Sequence, residues 1–176
     1  MATFVSSSTQ RAIRSASAWT EDAVTDDEHR LADRFAITEQ MYRYTRATDW
    51  LETERHRHVF ATDCVFASPH SGDMHGVDAV VDWMNRVLDQ FEATQHLVGN
   101  ISITFTGEAS ADAVSYVRAW HRYRDLDRPD MVLWGEYHDR WTNIEGVWRI
   151  AERRVLEAGI EPRRGGGTKN PRRAKS

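Results

Sequence analysis

The chain has 176 residues, of which 40% are hydrophobic, 10% aromatic and 28% charged, and its formal net charge is −4 at pH 7. This is the length of one ordinary domain, and the balanced composition excludes a disordered or fibrous protein. A mean hydropathy of −0.64 and a pI near 6.1 give no reason to expect a membrane span or a nucleic-acid partner.

The cysteine count and the two ends of the chain bound its organisation. The single cysteine, Cys64, cannot form an intramolecular disulfide or a cysteine-based zinc site, and the first residues lack the apolar core of a signal peptide. We therefore expect a cytoplasmic protein. Residues 1–27 predict a flexible arm, residues 28–158 a single domain, and the glycine-rich, basic residues 159–176 a disordered tail that does not bind nucleic acid.

The first half of the chain has mainly helical periodicity. Apolar residues recur every two to four positions between Glu28 and Asp49 without glycine or proline, which predicts the clearest helix. In chain order the pattern then predicts a short helix at Thr53–Phe60, a short strand at Cys64–Ala67, a loop at Pro69–Gly76 and a third helix at Val77–Phe91.

From Thr94 the period changes from 3.6 to 2, which is typical of strands. Turn-forming residues separate the predicted strands, which are Gln95–Phe105, Asp112–Tyr123, Val132–Thr142 and Val147–Leu156. Helices followed by strands indicate an α+β fold: one curved antiparallel sheet, connected as a meander, with helices on one face.

Four short segments, taken in order, resemble the SnoaL-like branch of the nuclear transport factor 2-like superfamily. They are Leu31–Ile37, the Tyr44-x4-Asp49 spacing, the Thr94–Asn100 run and the closing Gly146–Ile150, and the resemblance covers about residues 30–158. It implies a cone-shaped sheet around an apolar cavity whose mouth is closed by the N-terminal helices. Members include dehydratases, dehydrohalogenases, isomerases, polyketide cyclases, aldol-type carbon–carbon lyases and non-catalytic modules, so the site must decide the function.

His96 is the strongest catalytic candidate, with Asp49 as its partner. A neutral imidazole can take a proton from an acidic carbon or hydroxyl, and a carboxylate on its other nitrogen fixes the tautomer and stabilises the imidazolium. Both residues stand where the resemblance places the His-Asp dyad of dehydratases and dehydrochlorinases. The alternative is a half-buried structural histidine beside a helix-terminal aspartate.

Tyr44 and Arg153 complete the predicted catalytic set. The resemblance implies that Tyr44 lines the pocket and donates a hydrogen bond to a carbonyl or leaving oxygen, and that Arg153 stabilises developing negative charge. Each also has a structural alternative: Tyr44 as a core aromatic residue, and Arg153 as a solvated or salt-bridged side chain on a strand with arginines on both faces.

Five further residues are substrate-binding candidates. Alternation puts either His121 or Trp120 on the cavity side of its strand, and sequence alone leaves that choice open. Asn100 follows His96 by four residues and is expected on the same face, His70 is a candidate for the cavity rim, and Trp50 belongs to a tryptophan-rich composition that suits aromatic ligands or sheet packing equally.

No metal or cofactor is expected. The His56-x-His58 pair points to different faces of a helix and has no carboxylate at a recognisable ligand spacing. Phosphate-binding glycine loops and serine-hydrolase elbows are missing from the sequence.

These observations predict a cofactor-independent lyase acting on a small hydrophobic, hydroxylated aromatic or polycyclic molecule. It would abstract a proton and eliminate water, halide or an aldehyde such as formaldehyde. An isomerase or cyclase using the same site is one alternative, and a non-catalytic small-molecule-binding or assembly subunit is another. The resemblance also implies a homodimer or homotrimer.

Overall fold

The computed structural model describes residues 30–125 and 127–163. The packing described below is that of the described residues from Asp33 onward. The predicted N-terminal arm, and the predicted tail beyond Arg163, lie outside the described residues. No helix within the described ranges is long and apolar enough to cross a membrane.

The described elements confirm the predicted order of helices followed by strands. They are helix α1 (Leu31–Asp49), a 3-10 helix (Thr53–His58), strands β1 (Phe60–Ser68) and β2 (Gly72–His75), helix α2 (Val77–Leu88), and strands β3 (Phe91–Gly107), β4 (Ser110–Tyr123), β5 (Asp130–Ile144) and β6 (Val147–Arg163).

The six described strands form one curved, unclosed sheet in the order β2-β1-β6-β5-β4-β3. Strands β3 to β6 make the predicted antiparallel meander. The expectation of a wholly antiparallel sheet is wrong at one place, because β1 pairs parallel with β6. That pairing joins segments about 90 residues apart in sequence, which local periodicity cannot detect.

Three predicted boundaries are also wrong. The loop predicted at Pro69–Gly76 contains β2, which pairs antiparallel with β1 across a tight turn. The third helix ends at Leu88, and Phe91 already belongs to β3. Strand β6 continues to Arg163, so residues 159–163 are paired strand rather than the start of a disordered tail.

One face of the sheet, called here the inner face, carries the core together with α1 and α2. The small residues of β4, Ala111, Ala113 and Ala119, are at most 2% exposed, and their size leaves room for large side chains from β5 and α1. Among these are Tyr137, Trp141 and Tyr44, all in the core cluster. Residues alternate along β4, so its other face is exposed at Tyr116.

Candidate active site

The predicted pair of His96 and Asp49 is hydrogen-bonded on the inner face. Nδ1 of His96 lies 2.7 Å from Oδ1 of Asp49, and the two side chains are only 7% and 12% exposed. A carboxylate can only accept, so Nδ1 carries the ring proton and Nε2 is left as an acceptor. The pair therefore has the tautomer that a general base requires.

Two more donors fix the Asp49 carboxylate. The backbone N–H of His96 donates to Oδ2 at 3.0 Å, and the hydroxyl of Thr94 donates to Oδ1 at 2.9 Å. Asp49 is the last residue of α1, and the chain turns there with Leu51 at a φ of +61°. A carboxylate at this end meets the negative end of the helix dipole, and these donors offset that repulsion.

His121 lies next to His96 on the inner face. Of the two alternating residues His121 and Trp120, it is therefore His121 that faces the core. The two rings meet edge to face with centroids 5.3 Å apart, and Phe91 packs on His121 at 4.7 Å. His96 sits opposite the small Ala119 of β4. Burial, and then the neighbouring His96, lower the pKa of His121 to about 3, so this imidazole is neutral at physiological pH.

Arg153 is the centre of a second polar group on the inner face. It is fully buried, and its guanidinium donates to both carboxylate oxygens of Asp139, at 2.7 and 2.6 Å. The rings of Tyr44 and Tyr137 each lie 4.2 Å from its Cζ. Such stacking stabilises a desolvated cation, so Arg153 is a buried, paired charge rather than a solvated one.

Burial determines the protonation states in this second group. Desolvation raises the pKa of Tyr44 despite the opposing charge of Arg153, and it raises the pKa of Tyr137 well above its usual value. Both phenols therefore keep their protons. Burial on its own would lower the pKa of Arg153, but the carboxylate of Asp139 outweighs it and the pKa is raised.

His56 joins the site although sequence analysis weighed it only as a metal ligand. It belongs to the 3-10 helix, is fully buried, and its ring lies 5.0 Å from that of Tyr44. Burial, followed by the charges of Arg153 and His96, lowers the pKa of His56 to about 3. Its position was not evident from sequence, because the basic run around it looks like a solvated helix.

Two predicted binding residues lie away from the inner face. Trp120 alternates with His121 and lies on the opposite face, where its indole N–H donates to Asp130 at 3.0 Å. Asn100 is exposed at an irregularity of β3 between residues 99 and 102, with a φ of +50°. The extra residues break the alternation that placed it beside His96, and Asn100 lines instead a groove of about 490 Å³ that includes Tyr116 and Trp134.

His70 and Trp50 are exposed. His70 lies in the turn between β1 and β2 and pairs with Glu157 at 2.7 Å, while Trp50 follows Asp49 and stacks under Arg46 at 5.2 Å. Their roles in ligand binding stay predictions. Within the described ranges, no group of three or more His, Cys, Asp or Glu side chains could hold a metal ion.

Solved structures with the same fold come from several enzyme classes. A candidate scytalone dehydratase from Novosphingobium aromaticivorans is 28% identical, with a TM-score of 0.72 over 84% of this chain and 96% of that one. The hexachlorocyclohexane dehydrochlorinase LinA-type3 of Novosphingobium barchaimii is 18% identical, with a TM-score of 0.73 over 82% and 99%. A candidate aromatic ring hydroxylase from N. aromaticivorans is 19% identical, with a TM-score of 0.70 over 75% and 94%.

The second and third of these similarities show the fold alone, because their identity is low. No curated protein matches the chain. The SnoaL-like domain family matches residues 29–154, which span both polar groups of the inner face. The resemblance read from the sequence is thereby confirmed, and the chain belongs to the SnoaL-like domain family.

Proposed function

We propose that this protein is a cofactor-independent lyase whose general base is Nε2 of His96. The observation that carries the proposal is the buried hydrogen bond between His96 and Asp49, which protonates Nδ1 and leaves Nε2 free to take a proton. The candidate scytalone dehydratase among the solved structures of the same fold supports the same reaction class.

The proposed reaction is a proton abstraction followed by elimination. The proton moves from a substrate carbon to Nε2 of His96, the electron pair of the broken C–H bond forms a carbon–carbon double bond, and the leaving group departs with its own pair. Asp49 stabilises the imidazolium. A departing hydroxide takes the proton back from His96 and leaves as water, whereas a departing halide leaves as the anion and His96 then releases its proton to solvent.

Tyr44 and Arg153 are proposed to stabilise the negative charge that develops on the substrate. The Tyr44 phenol keeps its proton because burial raises its pKa, so it can donate a hydrogen bond to a carbonyl or leaving oxygen. Arg153 is held by Asp139 and therefore contributes directed N–H groups rather than an uncompensated charge.

The proposed substrate is a small hydrophobic, hydroxylated aromatic or polycyclic compound. The inner face combines aromatic rings with polar atoms on four elements, α1, the 3-10 helix, β3 and β6. Such a lining fits a ring system with a few polar substituents. Loss of water or halide would follow abstraction of the carbon-bound proton by His96. Loss of an aldehyde such as formaldehyde would use the same base on a hydroxyl proton: the O–H pair becomes the second bond of the aldehyde carbonyl, the carbon–carbon bond breaks, and its electron pair stays on the remaining carbon.

The test is turnover of hydroxylated aromatic dimers, hydroxysteroids and halogenated rings by purified protein without added cofactor or metal. We expect His96→Ala to lower kcat by roughly 100- to 10,000-fold, the usual contribution of a general base. Asp49→Asn should also lower kcat, because the amide cannot stabilise an imidazolium. His138→Ala is the matched control, since His138 pairs with Glu136 at 2.8 Å on the surface.

Three results would contradict the proposal. Equal turnover by wild type and His96→Ala would exclude His96 as the base, and isomerised products without loss of a group would indicate an isomerase at the same site. An absence of turnover across the whole panel would favour a non-catalytic binding or assembly subunit. Circular dichroism of each variant shows whether the fold is intact.

A further inference from the structure

Several buried polar atoms, among them Nδ1 of His121, have no hydrogen-bond partner among the described residues. Two of them, Nδ1 of His56 and Nη1 of Arg153, belong to fully buried side chains of the inner face. Buried polar atoms are rarely left unpaired, because each loses its hydration without replacement. The proposed lyase mechanism uses neither ring nitrogen of His56, so this histidine calls for a separate explanation.

The two atoms belong to side chains that pack on the same ring. The His56 imidazole lies 5.0 Å from the Tyr44 ring centroid, and Cζ of Arg153 lies 4.2 Å from it. Tyr44 precedes Asp49 by five residues of α1, which is a rise of about 7.5 Å. The span along α1 between the two groups is thus comparable with the length of two fused rings.

The neighbours of His56 indicate which of its nitrogens is protonated. The Thr48 hydroxyl donates to the backbone carbonyl of Tyr44 at 3.0 Å, so its oxygen can only accept from Nε2 of His56, 3.4 Å away. Nε2 therefore carries the proton, and Nδ1 has a free lone pair. Burial and the nearby charge of Arg153 keep the ring neutral by lowering its pKa to about 3.

The chemistry of these two atoms is complementary to a hydroxyl group. Nη1 of Arg153 can only donate, and Nδ1 of His56 can only accept, whereas a hydroxyl both accepts and donates. A ketone, an ether or a halide has no proton to give to Nδ1. A carboxylate would place its lone pairs against the lone pair of the imidazole.

We propose that Nδ1 of His56 and Nη1 of Arg153 form a subsite that binds a hydroxyl group of the ligand. The hydroxyl accepts from Arg153 and donates to His56, while the rest of the ligand extends along α1 towards His96. The inference rests on the proposed function only in treating the inner face as a ligand site, and it assigns His56 a role in specificity that no step of the elimination requires.

The test compares two-ring ligands that carry a phenol, an alcohol or a methyl ether at the same position. Isothermal titration calorimetry of 2-naphthol, the alcohol 1,2,3,4-tetrahydro-2-naphthol and the methyl ether 2-methoxynaphthalene measures whether the proton matters and whether a phenol or an alcohol is preferred. We expect wild-type protein to bind at least one hydroxyl compound roughly tenfold more tightly than the ether, as expected for one hydrogen bond to a buried acceptor.

His56→Leu removes the acceptor and fills the same space with apolar atoms. The preference, which is the ratio of the Kd of the ether to the Kd of the hydroxyl compound, should therefore fall to about one. His138→Leu, at the surface histidine, should leave the preference unchanged. His96→Ala should also keep it, because the proton of the ligand is not given to His96. Loss of turnover with an intact preference would thus separate the subsite from the lyase proposal.

A measurement on unmutated protein removes the dependence on the folding of His56→Leu. In 15N-labelled wild-type protein, the Nδ1 resonance of His56 should shift when a hydroxyl compound is added and stay in place when 2-methoxynaphthalene is added. Equal affinity for hydroxyl and ether, no binding of any of the three compounds, or an unshifted Nδ1 resonance would overturn the proposal.

Discussion

The buried ion pair of Arg153 and Asp139 allows a sharp test of how the inner face is held together. Both side chains are 0% exposed, and two hydrogen bonds of 2.7 and 2.6 Å join them. Asp139→Ala leaves the guanidinium buried without its carboxylate. The two tyrosine rings that flank it stay in place, so the change isolates the contribution of Asp139.

The expected loss of unfolding free energy is about 3–5 kcal/mol, the usual cost of removing one partner of a buried ion pair. Two hydrogen bonds to charged groups, at about 1.5–3 kcal/mol each, sum to about 3–6 kcal/mol, which overlaps that range. A domain is stable by only about 5–15 kcal/mol, so the variant would lose a large share of its stability. Replacing both residues, in Asp139→Leu with Arg153→Met, should cost much less, because no buried charge remains.

Urea unfolding followed by tryptophan fluorescence measures these differences as shifts in the midpoint at constant slope. Glu161→Ala is the control, because the pair of Glu161 with Arg163 at 3.1 Å is about half exposed and such pairs contribute at most about 1 kcal/mol. A midpoint shift for Asp139→Ala no larger than that of the control would refute the assignment of a buried, structurally required pair.

Three further outcomes are expected. The free energy of unfolding should fall from pH 6.5 towards 3 by about 1.4 kcal/mol per pH unit for each of His56 and His121. The reason is that the unfolded rings bind protons in this range, while the folded rings, with a pKa of about 3, do not. Urea unfolding at pH 7 and 5 measures this, and a His56→Leu variant as acid-sensitive as wild type would contradict it. Gly135→Ala should destabilise the fold because the added Cβ meets a backbone carbonyl oxygen of β6, whereas Gly159→Ala meets nothing within 4 Å; equal melting temperatures would argue against this contact. Cys64, buried and with a pKa raised to about 11, should react with a thiol reagent only as the protein unfolds, and rapid labelling of native protein would show otherwise.

The sequence predicted those parts of the fold that depend on local periodicity. The helix ending at Asp49 and the four long strands follow from apolar spacing, and the helix-terminal position of Asp49 was correct. The parallel pairing of β1 with β6 could not be predicted, since it depends on two distant segments meeting across the sheet. The four-residue strand β2 is too short and too polar to give a periodic signal.

Departures from regular strand alternation limit what the sequence can predict about the site. A register shift near Ala151 places Arg153 opposite Asp139, and local periodicity gives no sign of that pairing. A similar irregularity turned Asn100 outward. Alternation also left His121 undecided until packing against Phe91 fixed its face. The cytoplasmic location, the homo-oligomer and the catalytic roles stay predictions.

The parallel pairing of β1 with β6 has a consequence for how the protein is made. Strand β6 is the last described element in sequence, yet it lies in the middle of the sheet, between β1 and β5. Until it emerges from the ribosome, both neighbouring strands present unpaired edges, which favour association with other chains. Since β6 also carries Arg153, its insertion between β1 and β5 joins the two parts of the sheet and completes the inner face in one late step, and such long-range pairing makes folding slow.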